Sequence, residues 1–253
     1  MTGAGNWTWF IDGQAPTLID AGVGDPGHLE AIDDAVRRDL AHVLVTHAHG
    51  DHASGAPMIT ERMPSARFHK YPWPEYDGRS GVAWEAVADG DELDAGDTRL
   101  VAVHTPGHAP DHLCFWHPES GVVFCGDLVV SGSTVWVPAN QRGDMAAYIA
   151  SLRTVLSLNP RRLFPAHGPV IDDPQTLLRR YIDHRLEREA QVVGALREGD
   201  QTAAAMVARI YQGLQEILIP RAEETVTAHL HKLEREGLAR SSEIGRASCR
   251  ERV

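Results

Sequence analysis

The sequence predicts an α/β protein: two β-sheets packed as a sandwich, helices on both outer faces (αββα), and a small helical domain at the end. Three observations predict it. Short apolar runs recur at Ala41–Val45, Leu100–His104, Gly121–Cys125 and Arg162–Phe164, each strand-sized and each followed by polar residues. Segments with helical spacing alternate with them. The chain has 253 residues, 43% of them hydrophobic, enough for a sizeable core in one large domain or one large and one small.

The elements follow in order. Asn6–Ile11 and Thr17–Asp20 read as strands about a turn at Gly13. Gly27–Arg38 has helical spacing, with Leu29, Ile32 and Val36 on one side. Ala41–Val45 is a strand that feeds the densest chemistry of the chain, Thr46-His47-Ala48-His49-Gly50-Asp51-His52, an H-x-H-x-D-H pattern. Imidazoles two apart on an extended segment point the same way. The Asp and His that follow, at a turn, face a second position. Neutral imidazoles and a carboxylate this close suit a borderline divalent metal such as zinc. The plainer alternative is a polar loop with Asp51 as a helix N-cap. Ala53–Met63 forms the next helix despite Pro57, and Arg67–Tyr71 a short strand. Tyr71–Trp84, rich in Pro, Gly and aromatics, is a loop. Its Trp73, Tyr76 and Trp84 either contact substrate or pin the loop to the surface.

Further ligand types appear at the ends of later runs. Thr105-Pro106-Gly107-His108 follows Leu100–His104, Cys125-Gly126-Asp127 closes Gly121–Cys125, and Pro165-Ala166-His167-Gly168 follows Arg162–Phe164. Each candidate sits just past a strand, where open α/β sheets place their ligands. Asp144–Leu158 reads as a helix with Asp144 as N-cap. Pro174–Leu196 is a long amphipathic stretch with Leu177, Leu178, Tyr181, Ile182 and Leu186 on one face. Gly199-Asp200-Gln201-Thr202 marks a domain boundary, after which Thr202–Ile210 and Arg221–Glu236 read as two helices about a hinge at Gly213 to Pro220.

With these residues the chain resembles the metallo-β-lactamase fold superfamily. Asp144-Met145-Ala146-Ala147-Tyr148, Pro165-Ala166-His167-Gly168-Pro169, Tyr181-Ile182-Asp183-His184-Arg185 and His229-Leu230-His231-Lys232-Leu233 look like the β-lactamase-like protein 2 group, over nearly the whole chain. The resemblance implies one metal held by His47, His49 and His108, a second by Asp51, His52 and His167, and Asp127 bridging them. Two divalent ions are implied, zinc first, with iron or manganese as alternatives. Asp127 stands where lactamases of the best-known subclass carry Cys, which points away from β-lactam hydrolysis and toward the glyoxalase-II-like branch. The implied domains are a hydrolase domain over 1–198 and a winged-helix-like segment over 199–242, its wing starting at Gly237-Leu238-Ala239. Asp51 and Asp127 are the expected catalytic residues, in a hydrolysis driven by a metal-bridging hydroxide. A G-x-S-x-G nucleophile elbow is absent from the sequence, in agreement. The expected substrate is a small ester or thioester. The alternatives are a single-strand endoribonuclease, as animal members of the group are described, and a metal-bound regulatory or redox protein.

Gly107 to His112 also matches a recurrent stretch of the family, so Asp111 or His112 is expected to hydrogen-bond a ligand imidazole. Tyr148 and Ser133 are pocket candidates by position alone. His28, His42, His69, His104, His117, His184, His229 and His231 lack metal spacing and read as surface or satisfied polar groups. Cys114 and Cys125 lie inside apolar runs and read as buried free thiols in a reducing cytosol. Cys125, two residues before Asp127, would alternate onto the same strand face and could touch the metal region, but a buried thiol is the expected state.

Charge bears on partners. The formal net charge is −11, and an acidic domain lacks the diffuse attraction to phosphate that drives non-specific nucleic-acid binding. In the second small-domain helix, Glu223, Glu224, Glu234 and Glu236 face Arg221, Lys232 and Arg235, a balance that suits packing on the hydrolase domain better than lying in a DNA groove. No run reaches the ~20 apolar residues of a membrane helix, and a cytoplasmic protein is expected.

The two ends depart from this pattern. Glu243–Val253 resembles a sequencing adapter read in frame to its first stop codon, so 243–253 is expected to be an artefact without defined structure, touching neither metals nor core. Met1-Thr2-Gly3-Ala4-Gly5-Asn6 resembles a stretch that family members carry inside the domain, which suggests an upstream strand.

Overall fold

The computed structural model describes residues 5–36, 39–241 and 247–249. The first sheet orders its strands β1 (Trp9–Ile11), β2 (Thr17–Ile19), β3 (His42–Leu44), β4 (Arg67–Lys70) and β5 (Trp84–Ala86). The first pair is antiparallel and the rest are parallel. Parallel neighbours need crossovers. These are supplied by α1 (Pro26–Ala35), by α2 (Gly50–Ala53) with α3 (Ala56–Arg62), and by the one-turn α4 (Pro74–Asp77). The second sheet runs through β6 (Glu92–Ala95), β7 (Thr98–His104), β8 (Leu113–His117) and β9 (Val122–Gly126) as an antiparallel meander. After α5 (Met145–Ser157), β10 (Arg162–Pro165) adds parallel to β9. α6 (Pro174–Arg197), α7 (Ala203–Ile210) and α8 (Ile219–Arg235) follow, then β11 (Ala239–Ser241) and β12 (Ala247–Cys249).

Strand alternation builds the layers. Ile19, Leu44, Leu113 and Phe115 face inward between the sheets with Leu100 and Ala102. Their neighbours Leu18 and Val43 face outward onto Leu29, Ile32 and Ile59 of α1 and α3. On the opposite face, Cys114, Val123 and Cys125 pack against Leu152 of α5 and Leu178 of α6. This is the αββα sandwich that the sequence predicts. Val192 and Leu196 of α6 form a further core with Met206 and Val207 of α7 and Val226 and Leu233 of α8.

Several local expectations change. The helix expected over Ala53–Met63 is two helices broken at Ser54-Gly55, because Gly55 passes so close to the backbone that a Cβ there would stand 2.1 Å from the Ala21 carbonyl oxygen. Trp84 is not in a loop: it lies in β5 and meets the Phe68 ring edge-on. Leu186 is exposed, and the buried position beside it on α6 belongs to Arg185, which bonds Thr134 Oγ1 and the Val135 carbonyl. Tyr148, a pocket candidate by position, is buried in the core, and its hydroxyl donates to the Leu128 carbonyl at 2.7 Å. Asp144 does cap α5, accepting from the amides of Ala146 and Ala147. Within 243–253, expected to lack structure, Ala247–Cys249 pairs antiparallel with Ala239–Ser241, its backbone close to α6. Residues 243–246 and 250–253 lie outside the described residues. Among the described residues no helix is long and apolar enough to cross a membrane.

Polar contacts seat α8 on the sandwich. Arg235 forms a two-point pair with Asp144, and Glu224 accepts from the Asn140 amide. Between α6 and α8, Glu189 accepts from Lys232 at 2.7 Å and pairs with His229. Burial would raise the Glu189 carboxyl, but the His229 and Lys232 bonds hold it below its ordinary value. A depressed carboxylate contributes stability above its unfolded pKa that is lost as pH falls through the folded value. Glu189→Ala is therefore expected to cost about 1.5–3 kcal/mol at neutral pH, by urea unfolding, with the gap to wild type narrowing in acid. An equal gap at all pH values would show that the loss is one of packing.

Candidate metal centre

Four strand ends converge at one edge of the sandwich. β3 leads through Val45 and Thr46 to His47 and His49, and the short α2 turns Asp51 and His52 back toward them. β7 ends before the turn that holds His108, β9 before Asp127, and β10 before His167. Gly126 makes the turn into Asp127 at φ +46°, and a Cβ there would lie 2.7 Å from His112 Nε2.

The seven predicted ligands meet as two adjoining groups. His49 Nδ1 lies 3.0 Å from His47 Nε2 and 2.9 Å from His108 Nε2. Beside this trio, Asp51, His52 and His167 bring their donor atoms together. His167 Nε2 is 3.3 Å from Asp51 Oδ2, and His52 Nε2 is 3.8 Å from Asp51 Oδ1. Asp127 reaches both groups: Oδ2 lies 3.5 Å from His108 Nε2, and Oδ1 lies 3.2 Å from His167 Nε2 and 3.6 Å from His52 Nε2.

The donor set fits divalent ions. Ligands about 2.0–2.1 Å from a tetrahedral zinc ion stand roughly 3.3 Å apart, close to these spacings. His52 Nε2 is buried with no hydrogen-bond partner among the described residues, which is costly unless something else satisfies it. Burial and the neighbouring imidazoles push His47 well down, and His49 to about 3, so both are neutral, the form that binds metal. Burial opposes charge on Asp127, but His52, then His108 and His167, hold its carboxyl well below the usual range. Burial likewise opposes charge on His52, where Asp20 and Asp127 prevail and raise it.

Residues 1–167 match the Metallo-beta-lactamase superfamily, and residues 202–246 the Beta-lactamase associated winged helix domain. The chain belongs to the metallo-beta-lactamase superfamily. A Beta-lactamase-like protein 2 homolog from Drosophila melanogaster is 30% identical, covering 96% of this chain and 86% of its own. An Atrochrysone carboxyl ACP thioesterase from Aspergillus chevalieri is 34% identical over 79% of this chain and 63% of its own. Against the fungal relatives matched, this chain spans 56–63% of their length. Among solved structures, a metallo-beta-lactamase family protein from Thermus thermophilus superposes with a TM-score of 0.80 at 21% identity, covering 96% of this chain and 93% of its own. TTHA1623, solved in a di-iron-bound form, gives 0.59 at 29% identity, covering 69% and 92%.

In this superfamily member the outer contacts differ from those expected. Neither Asp111 nor His112 hydrogen-bonds a ligand imidazole. Asp111 Oδ2 accepts the Ala48 amide at 2.9 Å, because its turn runs beneath the peptide between His47 and His49. His112 Nε2 accepts the Asp127 amide at 3.1 Å, while its Nδ1 meets Thr105 Oγ1. The imidazoles are oriented by groups that sequence reasoning missed. Asp20 Oδ2 accepts from His52 Nδ1 at 2.7 Å, and its Oδ1 accepts the Thr46 amide. The Trp136 carbonyl accepts from His108 Nδ1 at 2.7 Å and the Gly5 carbonyl from His167 Nδ1 at 3.0 Å. The signal for Asp20 was its place at the end of β2 before Ala21-Gly22, the same strand-end logic that located the ligands. Carbonyl partners leave no signal in a side-chain pattern.

Cys125 does not reach the metal region. Its thiol lies in the core beside Val123, the buried state its apolar run predicts, and burial pushes it well up. Trp73 is buried against Tyr76, with ring centroids 4.1 Å apart. Ser133 bonds Tyr181 through its carbonyl. Of the other histidines, His69 is buried and bonded to His42, and His229 is buried and bonded to Glu189.

Proposed function

We propose that the protein is a hydrolase that binds two divalent ions, zinc by preference, and acts on a small ester or thioester. The division of Asp127 carries this reading, one oxygen beside His108 and the other beside His52 and His167. Two ions held by His47, His49 and His108 and by Asp51, His52 and His167 would supply Lewis acidity and bring the pKa of water toward neutrality. Asp127 keeps the two groups in register. Asp51 is the more exposed carboxylate, so it orients an incoming water and receives its proton. Cys114 and Cys125 are buried in the core, away from the site, and burial pushes Cys114 up to about 12. These free thiols suit a reducing cytosol.

The thioesterase relative and the net charge of −11 support an ester or thioester over RNA. So does α8, whose Lys232 and Arg235 are paired with Glu189, Glu236 and Asp144. Purified protein is expected to hold two metal equivalents by elemental analysis after zinc loading. No bound transition metal would defeat the reading, and a single equivalent would remove the second ion. A screen of esters and thioesters against single-stranded RNA decides the substrate: turnover of RNA alone would replace the proposal with a ribonuclease.

A further inference from the structure

A buried charge cluster lies under the peptide that joins two of the candidate ligands, and the proposed reaction makes no use of it. Asp111 is fully buried. Its Oδ2 accepts the Ala48 amide at 2.9 Å and lies 3.2 Å from Lys70 Nζ. Lys70, at the end of β4, is itself buried and donates to Asp77 Oδ1 at 2.6 Å and to the Tyr71 carbonyl at 2.7 Å. Asp77 Oδ2 in turn accepts the Trp73 amide at 2.7 Å. The loop with the metal motif is thus tied through Asp111, Lys70 and Asp77 to the loop after β4.

Stability alone is a poor reason for this arrangement. Replacing a buried ion pair by apolar residues is often neutral or stabilising. Packing covers the half-buried Ala48 only in part, because a cavity of about 310 Å³, lined also by Ser54, Lys70, Asp77 and Trp84, opens beside it. Rotation of that peptide would swing the rings of His47 and His49, the two ligands it joins, out of their common aim.

We propose that Asp111 and Lys70 are a positioning pair that fixes the Ala48 peptide and so sets the metal affinity of the three-histidine group, not of its neighbour. The proposal rests on the reading of His47, His49 and His108 as ligands. Asp111 makes no hydrogen bond or ion pair to Asp51, His52, His167 or Asp127, so its influence is local to the first group.

The test is stepwise zinc titration of full-length apo protein against a chromophoric chelator, with cobalt substitution to read the ligand field. Asp111→Ala is expected to weaken one of the two sites about 10–100-fold, leave the other unchanged, and alter only the cobalt bands of the histidine-rich site. Asp111→Asn keeps an acceptor for the Ala48 amide and should restore most of the affinity, with Lys70→Met intermediate. Thermal unfolding accompanies each titration. If Asp111→Ala does not fold, Lys70→Met carries the test through a smaller loss confined to the same site, with Asp111→Asn keeping most of the affinity. Equal losses at both sites, unchanged affinity at both, or failure of Asn to restore it would overturn the proposal. Wild type that binds no metal would instead defeat the ligand reading beneath it.

Discussion

Asp127→Ala is expected to lose hydrolytic activity by more than the roughly 10–100-fold typical of outer-contact residues, while its far-ultraviolet circular dichroism stays that of wild type. The carboxylate places one oxygen beside His108 of the first candidate metal group and the other beside His52 and His167 of the second. Its removal separates the two groups without removing a core contact. The strand it follows is held independently, by β8 on one side and β10 on the other. Metal content should fall by one equivalent or become labile. Kinetics on the substrate found in the screen, run beside circular dichroism and elemental analysis, check this. A loss of only a few-fold would mean that Asp127 does not join the two groups.

Asp20→Ala should be the most damaging change outside the ligands. It would leave the Thr46 amide, the Thr46 hydroxyl and His52 Nδ1 without the acceptor that each now uses. Each buried group left unpaired costs about 1–3 kcal/mol. His52 would also lose the partner that fixes its ring, so the second metal should bind about 10–100-fold more weakly. Unfolding in the presence of a chelator separates the two effects, because the stability loss persists without metal and the affinity loss does not. Unchanged metal affinity in a destabilised variant would reduce Asp20 to a structural residue. Asp20→Asn should recover much of the stability, since one oxygen remains to accept.

The ligand set was legible because its residues are chemically rare in that spacing. H-x-H-x-D-H after an apolar run, then His108, Asp127 and His167 after later runs, name the donors without any coordinates. Long helices were legible for a similar reason: α5 and α6 repeat their apolar residues over many turns, and Asp144 marks where one begins. Short elements were not. β5 and β6 are three and four residues long and partly exposed, too few for a period to register.

By itself, then, the sequence determined the αββα class, the seven candidate ligands and the family, since these depend on residue type and local spacing. The tertiary structure alone decided which oxygen of Asp127 faces which group, and that Asp20 and not Asp111 or His112 orients an imidazole. Those outcomes depend on one backbone torsion at Gly126 and on carbonyls and amides brought together from distant segments. Every residue carries the same amide and carbonyl, so their placement leaves no mark on the sequence and emerges only when the strand ends meet.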